Sequence, residues 1–66
     1  METKVYRVPG MSCAHCERAV EAEVRLLASV ADVHAEAATK TVRVAGTGVT
    51  DRDVREAIVR AGYEAE

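Results

Sequence analysis

Two thiols set three residues apart are the most chemically capable feature of this sequence. They lie in Gly10-Met11-Ser12-Cys13-Ala14-His15-Cys16, a short polar stretch between an alternating segment and a helical pattern. Where a loop runs into a helix, Cys13 and Cys16 can both reach one point just beyond the helix N-terminus. Free backbone amides and the positive end of the helix dipole favour thiolate there. Two converging thiolates make a soft site. A closed tetrahedral zinc site draws on about four protein ligands, and the chain has only 2 cysteines. Linear S–metal–S coordination suits a monovalent d¹⁰ ion, and Cu(I) fits best. Low coordination leaves such an ion open to attack by a partner's thiol, which suits delivery more than storage.

Other chemistries compete for the same residues. A Cys-x-x-Cys pair with His15 inside it resembles strongly oxidising thiol–disulfide oxidoreductases. Against that enzyme reading, a thioredoxin fold needs more chain, and Pro9, the only proline, cannot supply the cis-proline that faces such a site. A c-type haem site requires His directly after the second Cys, where Glu17 stands. Mercury, zinc or cadmium handling stays open, although hard ligands are otherwise missing. His15 is expected to be an exposed loop residue that could tune thiolate charge or join a metal site shared between two molecules. His34 alternates outward on a strand and reads as surface.

Length and charge exclude much else. At 66 residues there is room for one small domain, residues 1–66, and no deep substrate cleft. Of the apolar residues, 23 are Ala or Val, with no Trp and no Phe, so the core is built of small side chains. Net charge is −2, and the basic residues are scattered, which argues against a nucleic-acid footprint. No apolar run is long enough to span a bilayer, and the first twenty residues lack the apolar stretch of a signal peptide. These features place the chain in the cytoplasm, where thiols stay reduced. The initial Met and the end at Glu66 favour a free-standing protein over an excised domain.

The elements that must carry the thiols follow from periodicity. Thr3–Val8 reads as a strand with Tyr6 and Val8 on one face, ended by Pro9-Gly10. From Ala14 to Leu27 the pattern is helical: Cys16, Val20, Val24 and Leu27 form one stripe. Glu17, Arg18, Glu21 and Arg25 take the other side, with Glu21–Arg25 spaced as an i,i+4 ion pair. Val30–Ala37 alternates as a half-buried strand, Ala38–Lys40 is a turn, and Thr41–Ala45 returns with Val42 and Val44 inward. Thr50 and Asp53 resemble a capping box opening a second helix, with Val54, Ala57, Ile58 and Ala61 on its apolar stripe and Gly62 as its left-handed terminator. Tyr63–Glu66 could pair as a short edge strand. The order β-α-β-β-α-β predicts an α+β, ferredoxin-like open-faced sandwich: a four-stranded antiparallel sheet with two helices on one face.

The motif from Gly10 to Cys16 matches the GMxCxxC pattern of the heavy-metal-associated domain family. The likeness continues through Val20, Val24, Val33, the hairpin and Ala61-Gly62-Tyr63. Within that family the chain resembles the bacterial copper chaperones of the CopZ type. The resemblance implies a βαββαβ fold and Cu(I) bound by Cys13 and Cys16. Met11, Ser12, His15 and Tyr63 would lie around the ligands, with Met11 tucked beneath the loop. It also implies a non-enzymatic carrier, monomeric without metal and open to a metal-bridged dimer. Its partner would be a copper-transporting P-type ATPase and that pump's metal-binding domains; an N-terminal domain of such a pump would look almost the same.

Overall fold

A computed structural model of the chain describes residues 1–66. It contains β1 (Glu2–Arg7), α1 (Ala14–Arg25), β2 (Val30–Glu36), β3 (Thr41–Gly46) and α2 (Asp51–Arg60). The strands form one antiparallel sheet in the order β1-β3-β2. Strand β3 therefore sits between two strands that α1 connects, the split βαβ arrangement. Register puts Tyr6, Val42 and Ala35 in one row and Val44 beside Val33 in the next. All five are buried. Alternation along each strand sends these side chains to the same face. The helices cover that face through Cys16, Val20 and Val24 of α1 and Val54, Ala57 and Ile58 of α2. Val8, Met11 and Val49 complete a core whose only aromatic ring is Tyr6.

The fourth strand is not present. Tyr63–Glu66 runs beside β1 but makes one ladder bond to it, from Glu66 N to Arg7 O at 2.7 Å. Arg55 reaches across to the carbonyls of Ala65 (3.1 Å) and Glu66 (2.9 Å). The physical reason lies in the side chains. Tyr63 and Ala65 do alternate inward and are half-buried, but beyond the tyrosine only one methyl group is available to bury. A strand's worth of backbone ordering needs more than that.

The helix ends are chemically defined. Thr50 caps α2 by accepting from Asp53 N at 3.3 Å, so the Thr50 half of the expected capping box forms. At the other end Gly62 takes φ 97°. Gly62 N donates to Val59 O and Tyr63 N to Ile58 O, the paired bonds of a Schellman turn. Helix α1 stops at Arg25, short of Leu27, because the chain tightens there into bonds from Leu26 N to Glu23 O and Leu27 N to Val24 O. Leu27 still packs partly on the core, while Leu26 is 74% exposed. Gly46 lies against Ser29, whose carbonyl oxygen would stand 2.1 Å from any added Cβ. No helix is long and apolar enough to cross a membrane.

Side chains also tie the elements together. The Tyr6 hydroxyl donates to Asp51 Oδ1 at 2.7 Å, and Lys4 Nζ stands 3.5 Å from the same atom. Burial first, then the bond to Asp51, pushes the Tyr6 phenol up to about 12. Asp51 is held below the usual carboxylate range by that hydroxyl and by Lys4.

Candidate metal centre

Cys13 is the N-cap of α1, in extended conformation at φ −152° and ψ 168°. Its sulfur accepts from Cys16 N at 3.4 Å, occupying a backbone donor that a serine or aspartate usually takes. The cap turns the first helical residues so that Cys16 enters the first turn on the buried stripe. The two sulfurs stand 2.9 Å apart, both free thiols. Cys13 is exposed; Cys16 is 8% exposed. The thiols thus meet at the surface, one facing out and one backed by the core.

The surroundings favour charge on sulfur. The Cys16 thiol is lowered to about 6, chiefly by the hydrogen bond from Cys13. The Tyr63 hydroxyl and backbone amides of Ser12 and Cys13 add to this, and burial opposes it. Tyr63 is raised in turn by the sulfur it faces. The Tyr63 ring lies beside Gly10, its Cδ1 3.5 Å from where a Cβ on that glycine would be. Met11 is wholly buried, in the core beneath the loop as expected. Ser12 and His15 are exposed, and the His15 side chain has no hydrogen-bond or ion-pair partner. His34 lies on the outer sheet face, 3.6 Å from Glu36. No three of the His, Cys, Asp and Glu side chains converge on a common point. Two sulfurs, one exposed, make a soft and low-coordinate donor set.

The pattern of the heavy-metal-associated domain matches residues 5–64. The chain belongs to the heavy-metal-associated domain family. The copper chaperone CopZ of Bacillus subtilis (strain 168) is 41% identical over 66 residues, covering 97% of this chain and 96% of that protein. A copper binding domain from HMA7, a P-type ATPase, superposes with a TM-score of 0.92 at 31% identity, covering 100% of this chain and 92% of the other. The N-terminal domain of ZntA in its Zn(II) form gives 0.88 at 36% identity, covering 97% and 88%. Solved domains named with different metals therefore share one backbone with this chain.

Two residues beside the thiols escaped the sequence reading. Lys40 Nζ donates to Met11 O at 3.2 Å, and Glu17 accepts from Ala37 N at 2.6 Å. By sequence alone Lys40 is a turn residue and Glu17 part of a wet helix face.

Proposed function

We propose that this chain, as one heavy-metal-associated domain over residues 1–66, is a non-enzymatic Cu(I) carrier of the reducing cytoplasm. Cys13 and Cys16 hold one ion, and the partner is a copper-transporting P-type ATPase through its own metal-binding domains. The observation that carries this reading is the pair of free sulfurs 2.9 Å apart, one exposed and one buried, at the start of α1. A family relative named as a copper chaperone, at 41% identity over nearly the whole chain, supports copper as the ion. The likeness to a copper binding domain of a P-type ATPase supports the partner, since donor and acceptor would then present matching sites.

In this reading the cargo moves by ligand exchange. A partner thiolate attacks the bound ion from the open side and gives a three-coordinate intermediate. The exposed Cys13 leaves first and takes up a proton, and a second partner thiolate displaces Cys16. No electron changes hands. Tyr63 and the amides of Ser12 and Cys13 stabilise the negative charge on Cys16 at each stage. A metal-bridged dimer is an arrested form of the same exchange, with His15 at its border.

Zinc is the second reading, because a zinc-bound neighbour shares the fold. Two thiols without a third converging ligand suit zinc poorly. Anaerobic titration of the reduced protein with Cu(I), and separately with Zn(II), against a competing chelator decides between them. We expect one tightly held Cu(I) per chain and weak Zn(II). Cys13→Ser and Cys16→Ser should each weaken Cu(I) binding by orders of magnitude. Near-native affinity in either variant would remove the two-thiolate site. Catalytic turnover of a model disulfide would favour the oxidoreductase instead.

A further inference from the structure

We infer that the turn between β2 and β3 is a brace that sets the spacing of the two thiols, with Lys40 and Glu17 as its positioning residues. Its consequence for ion binding rests on the carrier reading above; its consequence for the loop does not.

The segment from Val8 to Cys13 belongs to no strand or helix, so whatever fixes it must come from outside. At its entry, Met11 buries its side chain completely and donates its N–H to Val8 O at 3.1 Å. The Met11 carbonyl accepts from Lys40 Nζ at 3.2 Å. The backbone of Lys40 also takes part, accepting from Val8 N at 2.8 Å. At the exit, Glu17 directly follows Cys16 and accepts from Ala37 N at 2.6 Å. Ala37 and Lys40 are the ends of one turn, closed by Lys40 N to Ala37 O at 3.3 Å. One short turn thus holds both flanks of the loop. Between the anchors Met11 and Glu17 lie only residues 12–16, which carry both sulfurs. The two side-chain bonds each involve a charged group, which makes them stronger than neutral ones.

The backbone of Lys40 points the same way. Its φ is 57°, the one positive φ outside glycine in the chain. Glycine would sit there without steric cost. The residue found there is a half-buried lysine, and its ammonium is spent on the loop. A site whose supports are fixed beforehand loses less freedom when it takes its ligand.

Lys40→Gly separates the two contributions, because it relieves the backbone and removes the ammonium. Lys40→Arg keeps a cationic donor. Glu17→Ala removes the acceptor, and Glu17→Gln keeps a neutral one. In the full chain, reduced and metal-free, exchange of the hydrogen-bonded amides that flank the thiols, those of residues 11, 16 and 17, should quicken about tenfold in Lys40→Gly and Glu17→Ala. The urea midpoint of Lys40→Gly should stay level or rise. Lys40→Arg and Glu17→Gln should return exchange towards native rates. Chelator competition should then show Cu(I) held several-fold more weakly by Lys40→Gly than by the native chain. Native exchange in Lys40→Gly overturns the brace. So does faster exchange that merely follows a fall in the urea midpoint, since the whole fold would then have loosened. If the exchange pattern holds but the native chain takes up no Cu(I), the brace stands and the carrier reading fails.

Discussion

The two sulfurs stand only 2.9 Å apart, yet they differ sharply in what a reagent can reach. Access decides which sulfur meets a reagent first. Cys13 is exposed and Cys16 is backed by Val20 and the core. In the reduced, metal-free protein a limiting amount of alkylating reagent should modify Cys13 first, read by peptide mass mapping. A clear preference for Cys16 would reverse the order of ligand exchange given above. The lowered value of Cys16 also acts on folding. Its folded value, about 6, lies below its unfolded one. The stability it supplies is therefore complete above the ordinary thiol range and is lost as pH falls through about 6. Urea midpoints of the reduced protein should rise from pH 6 to pH 9, and Cys16→Ser should flatten that rise. An equal slope in the variant would place its origin elsewhere.

Among the elements, the inner stripe of α1 carries much of the packing. Val20 and Val24 are wholly buried against strands of small residues. Val24→Ala should cost roughly 1–3 kcal/mol through lost burial and the cavity left behind. Chemical denaturation would show it, and a loss below about 0.3 kcal/mol would mean that the neighbours close the gap. This stripe was legible because a helix repeats its buried positions at three and four residues. The wet side of α1 was not. The sequence suggested a Glu21–Arg25 ion pair; the Glu21 carboxylate instead accepts from Ala35 N at 2.8 Å, as Glu17 does from Ala37 N. Periodicity tells which residues leave the core, not what the neighbouring element offers them. Here α1 runs beside β2, an edge strand of the sheet; Glu21 occupies an amide of that strand and Glu17 the amide just past its end. The thiol pair itself was legible from spacing and residue type. Lys40 was invisible because its reach depends on a left-handed backbone in a turn with no glycine to announce it. The fourth strand is expected but absent for the opposite reason: the alternation is present, but beyond Tyr63 it has only the methyl of Ala65 to bury.

At the scale of the whole molecule, a radius of gyration of 10.2 Å and a core of fourteen residues leave little stability in reserve. Any ligand that binds only the folded chain should therefore be conspicuous. On the proposed carrier reading, free Cu(I) at a hundred times its dissociation constant should add about 2.7 kcal/mol, which in a domain of this size raises Tm by roughly 10–20 °C. Differential scanning calorimetry under buffered Cu(I) checks this, and an unmoved Tm would mean that the ion does not favour the folded state. The same economy of side chains has an optical side. With no tryptophan to drain their excitation, the two tyrosines emit for themselves. They sit just beyond opposite ends of α2: Tyr6 in the core, bonded to Asp51, and Tyr63 against Cys16. Their fluorescence carries two messages from two places. Tyr6 reports whether the chain is folded, and Tyr63 whether its thiols are engaged, so a Tyr6→Phe variant would let loading be followed without an added dye.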